Sequence, residues 1–391
     1  MSRIAVLGGG PAGAFTAERL ARAGMRVTLI DEKLAWEKPC GGGLTYKAYN
    51  QYPFLFDNDT PKKILSRTRL ASSRAGAAEL ELTRPILIYS RFDLNNMLLH
   101  RAEQAGAQIE KTRVTDLSRT GEGWRLRTLA GDIDSDFCVV ANGARNALRD
   151  VGTEWTAANK MVALGYFIPV DRDHIDIQFL SGFAGYIWVF PRQGHLSAGI
   201  CAKGASSQVL RRILETYLAE NSIPLKDSTF YGHVIPSLEK PQWRSNRVAG
   251  AGWLAVGDAA GLVDPVTGEG LYYAMRSADL AAQAILSETK HPEVAYRSSL
   301  QQEFFDEMEI ASRLASRLYL GKFLYGDVPS RMIQFMRRSP TLCHILQDLF
   351  AGTQGYLDLK ARLMESLNGT IRDVLINWYF RRVVPAAPTR L

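Results

Sequence analysis

Three stretches of this 391-residue chain combine residue types and spacings that do chemistry. The first is Gly8-Gly9-Gly10-Pro11-Ala12-Gly13. It follows the apolar run Arg3-Ile4-Ala5-Val6-Leu7 and precedes a helix-forming segment, 14–23, that stops at Gly24. Gly8, Gly10 and Gly13 match G-x-G-x-x-G between strand and helix: the first makes the turn, the second admits a pyrophosphate, and the third lets helix pack on strand. Pro11 and Ala12 then open the helix, whose N-terminal amides face the phosphates. Asp31, 18 residues past Gly13 at the end of the strand-forming Arg26-Val27-Thr28-Leu29-Ile30, is placed to accept hydroxyl hydrogens of an adenosine ribose, with Glu32 as the neighbouring alternative. The complete order of strand, turn, helix, strand and acid predicts dinucleotide binding.

The second stretch runs from Val256 to Gly270, with Gly257-Asp258 after an apolar strand and Gly268-Glu269-Gly270 before a helix beginning near Leu271. A carboxylate at such a strand end binds a ribityl hydroxyl. The helix amides face the pyrimidine edge of an isoalloxazine, where the dipole stabilises negative charge by about 1 kcal/mol. A simple helix cap is the alternative. The third stretch is Lys38-Pro39-Cys40-Gly41-Gly42-Gly43-Leu44-Thr45-Tyr46. Consecutive glycines offer nothing to bury and cost chain entropy, so the backbone there turns sharply or approaches something closely. Cys40, read in isolation, is an inert buried thiol.

The remaining elements must position these stretches. Weak alternation in Glu79-Leu80-Glu81-Leu82 predicts a second, stranded layer between about 52 and 90. Phe92 to Ala105 has helical spacing and stops at Gly106, and the strand 136–141 enters Asn142-Gly143. A strand-rich middle spans 162–201, a helix 208–221, and strands return near 230–250. The last hundred residues have helical periodicity. Apolar residues make up 46% and charged residues 22%, as in ordinary soluble enzymes. No apolar run is long enough to span a membrane, and the apolar N-terminal run is too short for a signal peptide. The net charge of +7 is scattered rather than clustered, nucleic-acid motifs are absent, and cysteines at 40, 138, 201 and 343 lack metal or disulfide spacing. The expectation is a reduced, cytoplasmic protein without structural metal.

These residues give the chain a resemblance to the geranylgeranyl reductase family of FAD-dependent oxidoreductases, which shares its fold with group A flavoprotein monooxygenases. It is carried by Gly8 to Gly13, Lys38 to Gly43, Arg91-Phe92-Asp93 with Leu98, Gly185-Tyr186-Ile187-Trp188-Val189-Phe190-Pro191, and Gly257 to Gly270. It covers about residues 1–290. The resemblance implies FAD as cofactor, with the Cys40 loop beside the ring and Gly41 and Gly42 admitting ring and substrate to the backbone. Cys40 is then the thiol that donates a proton after hydride addition to a C=C bond. Arg91 is the arginine that opens a helix near the cofactor, a surface charge being the alternative. Tyr186, Trp188 and Phe190 share one strand face toward the substrate, with Tyr186 and Trp188 counted as catalytic; an ordinary aromatic core strand is the alternative. Asn142-Gly143 stands where the wider family has Asp-Gly, so the electron donor stays open between a nicotinamide, a protein and a quinol-like carrier.

The expected fold is α/β: a Rossmann-like FAD-binding domain from 1–75, 91–155 and 245–290, an inserted β-sheet substrate domain from 76–90 and 156–244, and a helical region 291–391. The expected reaction is reduction of an isoprenoid C=C bond. A monooxygenase or halogenase is the main rival, although halogenases carry W-x-W-x-I-P on the strand that here has Tyr186, Trp188, Phe190 and Pro191. A non-catalytic flavin carrier is the rival of another class. Aromatic and basic residues from Ile371 to Arg382 suggest peripheral membrane contact, with core packing as the alternative.

Overall fold

Short apolar strands with both faces covered form parallel sheets flanked by helices, and the N-terminal segment obeys that rule. The computed structural model describes residues 2–365 except 122 and 288, so the segment 371–382 lies outside the described residues. In chain order, β1 (Arg3–Leu7), α1 (Pro11–Arg22) and β2 (Arg26–Ile30) are followed by β3 (Gly43–Leu44), α2 (Tyr46–Gln51), β4 (Lys62–Ser72), β5 (Gly76–Tyr89), α3 (Arg91–Gln104) and β6 (Gln108–Glu110). An antiparallel trio, β7 (Val114–Thr120), β8 (Gly123–Thr128) and β9 (Gly131–Ser135), leads to β10 (Phe137–Val140). Next come β11 (Lys160–Ile168), β12 (Ile175–Phe179), β13 (Ala184–Arg192), β14 (His195–Lys203), α4 (Ser207–Glu220), β15 (Thr229–Pro236), α5 (Lys240–Ser245), β16 (Ala249–Gly250) and β17 (Trp253–Ala255). The chain continues through α6 (Leu271–Leu286), α7 (Pro292–Leu300), α8 (Asp306–Leu320), the small hairpin β18 (Lys322–Phe323) and β19 (Gly326–Asp327), α9 (Val328–Met336), α10 (Pro340–Ala351) and α11 (Tyr356–Glu365).

Six strands make the first sheet in the order β16-β17-β10-β1-β2-β6. At its centre Leu7 pairs in parallel with Val140 on one side and Ile30 on the other. α1 lies against this sheet with Ala14, Phe15, Ala17 and Leu20 buried, and the connection is the predicted strand, turn and helix. Eight strands make the second sheet, in the order β15-β11-β14-β13-β12-β4-β5-β3.

One boundary differs from the sequence reading. Residues 62–72, read as part of a second stranded layer yet kept within the nucleotide-binding segment 1–75, form β4, which pairs antiparallel with β5 and parallel with β12. The whole hairpin therefore belongs to the large sheet. Alternation of apolar and polar residues was hidden here because basic side chains of β4 are matched by acids around β12: Arg67 with Asp173 and Arg69 with Asp176, both at 3.1 Å, and Lys63 with Asp171.

The two faces of the large sheet have different covers. α4 packs Leu210 and Leu214 against Leu164, Ile187 and Val189 on one face. The C-terminal helices cover part of the other, where Tyr319, Ile333, Ile345 and Tyr356 join Leu70, Leu80 and Phe179 in one buried cluster. Among the described residues no helix is long and apolar enough to cross a membrane.

Candidate active site

A cavity of about 440 Å³ lies between the carboxyl ends of the parallel strands and the large sheet. Two helices begin at it. Gly10, Pro11 and Ala12 of the α1 turn and Gly270 and Leu271 at the start of α6 all line it. Neither Gly10 nor Gly270 supplies a capping side chain, and neither first turn holds an acid. The free amides and positive dipole ends of two helices thus meet one cavity, an arrangement for an anionic ligand.

The glycine turn is sterically fixed. A Cβ on Gly13 would stand 1.8 Å from the carbonyl oxygen of Gly8, whereas one on Gly10 would meet nothing within 4 Å. Gly13 is the contact between helix and strand, and Gly10 leaves room for an incoming group. A Gly13→Ala chain is expected to lose about 1–3 kcal/mol from overpacking and to purify without a bound dinucleotide. Urea unfolding and the absorbance of the purified protein check both.

Asp31 has a backbone task that the sequence did not announce. Its Oδ2 accepts from Gly9 N at 2.7 Å, and its Oδ1 accepts from Lys33 N at 2.7 Å and Leu34 N at 2.8 Å. A carboxylate offers about four acceptor positions, so one remains for a ligand hydroxyl. Glu32 is paired with Arg113 at 2.5 Å, and neither acid lines the cavity.

The third glycine stretch folds over the cavity's middle. Gly42 has φ +86°, and a Cβ there would lie 2.2 Å from the carbonyl oxygen of Tyr89, so only glycine fits. Gly41 and Gly43 lie against the ring of Phe190. Tyr186, Trp188 and Phe190 all line the cavity, while Ile187 and Val189 between them pack toward α4. Strand alternation therefore delivers the three aromatic side chains to one face. The Tyr186 hydroxyl donates to Thr267 O at 2.8 Å, which commits it to holding that loop.

Cys40 sits in a positive environment built partly by the expected Arg91 and partly by Arg192, which sequence reasoning missed, as it did Glu37 and Ser197. The amide of Gly42 approaches its Sγ at 3.3 Å. Its carbonyl oxygen accepts from Ser197 Oγ at 2.7 Å and from Arg192 Nη2. Arg192, wholly buried, also donates to Gly41 O at 3.3 Å and pairs with Glu37. Glu37 in turn accepts from Ser90 Oγ at 2.5 Å and Arg91 N at 2.9 Å at the start of α3. Burial pushes the Cys40 thiol up, but Arg91 and Arg192, with the Gly42 amide and Lys38, outweigh it and hold the thiol below its ordinary value. At Cys138, burial outweighs the Ser135 hydroxyl and Arg119, at Cys201 no cation among the described residues opposes it, and each thiol is pushed up to about 12. The only signal for Arg192 was its place directly after Pro191.

Arg91 opens α3 as expected and lines the cavity. It is buried; Nη2 donates to Asn95 Oδ1 at 3.3 Å, and Nε has no partner among the described residues. Asn142 donates to Asn146 Oδ1 at 2.7 Å and leaves a buried Oδ1 unpartnered; Gly143, not Asn142, lines the cavity. Lys38 reaches Asp258 at 3.2 Å. Burial raises that carboxyl, but Lys38 and His233 more than offset it, so it is held below its ordinary value. Burial and Lys38 lower His233 to about 4, leaving it neutral near pH 7. Glu269 is raised by burial against Lys47 and the 2.8 Å bond from Thr45 Oγ1. Gly257 and Gly8 lie behind the lining, while Gly268, Glu269 and Gly270 are part of it.

The C-terminal helices complete the wall, which no motif foretold. Leu318, Tyr319, Leu349, Phe350 and Tyr356 line the cavity. Tyr356 donates to the Asp264 carboxylate at 2.9 Å, and Tyr319 donates to Val266 O at 2.5 Å. Together with Tyr186, three tyrosines from three elements hold the loop that precedes α6.

Comparison with known proteins agrees with this architecture. Residues 6–56 match the NAD(P)-binding Rossmann-like domain family. The chain is 28% identical over 373 residues to the menaquinone reductase of Mycolicibacterium smegmatis, covering 88% of this chain and 89% of that one. It is 30% identical over 325 residues to the chloroplastic geranylgeranyl diphosphate reductase of Oryza sativa subsp. japonica, covering 73% and 66%. The chain belongs to the geranylgeranyl reductase family of FAD-dependent oxidoreductases. The crystal structure of a geranylgeranyl bacteriochlorophyll reductase-like protein from Thermoplasma acidophilum shares the fold, with TM-score 0.76, 21% identity, and 93% and 98% coverage.

The cofactor implied for this geranylgeranyl reductase family member fits the residues present. Gly10 has open space, two uncapped helix termini face the cavity, and the buried Arg91 Nε, on a residue that lines it, offers an unused donor. The amides of α1 and Arg91 would hold phosphates, Asp258 the ribityl hydroxyls, and the start of α6 the ring's polar edge.

Proposed function

We propose that this chain binds FAD in the glycine cradle and reduces C=C bonds of a substrate with a polyprenyl chain. The observation that carries the reading is the mixed lining of one cavity: the glycine turns with Lys38 and Arg91 border the same space as the apolar side chains Tyr186, Trp188, Phe190, Ile177, Leu349 and Phe350. When bound and reduced, FAD supplies the hydride that adds to one alkene carbon. The aromatic face orients an apolar chain and excludes water. Cys40 holds at Sγ the proton that the second carbon takes, and the thiolate left behind is stabilised by Arg91 and Arg192. Geranylgeranyl diphosphate and menaquinone, named by two relatives, share a polyprenyl chain, which supports this substrate class.

The test is to reduce the purified flavoprotein chemically without oxygen and add geranylgeranyl diphosphate or menaquinone. Return of the oxidised flavin band with a gain of two hydrogens in the prenyl chain, measured after any quinol has been reoxidised to quinone in air, supports the proposal. A band that returns only on admitting air, by way of an accumulating flavin-oxygen adduct, transfers the protein to the oxygenase reading, and one that returns in air with neither adduct nor altered substrate makes it a carrier.

A further inference from the structure

The hairpin after α8 exposes apolar side chains, although Phe323 also packs beside the Phe335 ring with centroids 6.3 Å apart. Phe323 pairs with Gly326, so Leu324 and Tyr325 form a two-residue turn, and both have positive φ, +47° and +60°. Asn-Gly is the usual choice for such a turn, because it adopts that conformation readily and stays polar. Here the two central residues are a leucine more than half exposed and a tyrosine wholly exposed, flanked by Phe323 and Leu320, each also more than half exposed. The tip is held in shape from behind: Arg331 donates to the carbonyl oxygens of Leu324 at 2.5 Å and Phe323 at 3.4 Å. A strained turn that spends its exposed positions on large apolar side chains points to a surface that receives them.

The surrounding charge selects that surface. Between residues 313 and 338 the chain carries Arg313, Arg317, Lys322, Arg331, Arg337 and Arg338 against a single acid, Asp327. Asp327 is occupied in capping α9 through Ser330 N at 2.9 Å. An apolar tip with aromatic residues, carried on a chain segment rich in cations, matches the interface of an anionic bilayer. The hairpin also follows directly on α8, whose Leu318 and Tyr319 line the cavity, so tip and cavity share one helix. We infer that the β18–β19 hairpin inserts its Phe323, Leu324 and Tyr325 side chains into the headgroup region of anionic membranes. This docking surface requires neither the substrate assignment nor the segment 371–382.

The test compares the full flavin-loaded chain with a Leu324→Asn, Tyr325→Gly variant in co-sedimentation with vesicles of phosphatidylglycerol and phosphatidylcholine, and with vesicles of phosphatidylcholine alone. The substituted turn is better suited to positive φ, so the variant is expected to fold at least as stably, which a melting curve checks. The wild type is expected to partition onto the anionic vesicles and the variant about tenfold more weakly, with high salt weakening the wild type. Equal partition of both chains, or no wild-type binding to anionic vesicles, overturns the inference. So does a variant whose only change is loss of self-association in sedimentation velocity, since a second copy of the chain then covers the tip.

Discussion

Cys40→Ala lowers turnover by about 10²- to 10⁴-fold, the usual contribution of a positioned general acid, while leaving flavin bound. The residue meets the cofactor cradle and the aromatic face at once, and its thiol is held below the ordinary range by cations from α3 and β13 despite burial. The protonated thiol is the active form. The rate is therefore lost as pH rises through the thiol's pKa, and this descending limb falls at lower pH than the ordinary thiol value of about 8.5. Anaerobic single-turnover reoxidation, followed across pH, measures both effects. Full turnover in the alanine variant, or a limb that persists in it, removes the thiol from the reaction.

The reading of Cys40 also shows where sequence stops informing. Gly13 and Gly42 were legible because local backbone geometry admits one residue type, and the face shared by Tyr186, Trp188 and Phe190 was legible because strand alternation has a fixed period. What separates Cys40 from Cys138 and Cys201 is its surroundings, and those come from residues 91 and 192, far along the chain. The same holds for Glu37 and Arg192, partners across 155 positions: a lone charge in an apolar strand does not say which distant carboxylate will meet it. The stranded layer over 52–90 was legible, but the boundary at 75 cut β4 from it, because the basic side chains of β4 are completed by acids about a hundred residues away. The C-terminal wall was hidden because Tyr319 and Tyr356 sit on ordinary amphipathic helices, and nothing in helical spacing says that the apolar face borders a cavity.

These distant contacts converge on Arg192, and Arg192→Met is expected to destabilise the fold by about 3–5 kcal/mol, as when one partner of a buried pair is removed. The guanidinium joins three things: the Glu37 carboxylate that caps α3, the carbonyl oxygens of Cys40 and Gly41, and the field that favours the Cys40 thiolate. Arg192→Lys keeps the charge but not the planar fork, so it recovers the thiol's acidity better than the stability. The pH dependence follows from Glu37. Burial raises its carboxyl, but Arg192, Ser90 and the amides of α3 together hold it below the ordinary carboxylate value. The stability it contributes is thus present above the ordinary carboxylate pKa of about 4.3 and is lost as pH falls through the lower folded value. Arg192→Met shrinks that acid-side loss, because less of the depression remains. Urea unfolding at neutral and acid pH reads the stability, and the ultraviolet absorbance of the thiolate reads the cysteine. A methionine variant as stable as wild type, with an unmoved thiol titration, would show that the Cys40 loop is held by its glycines and Ser197 alone.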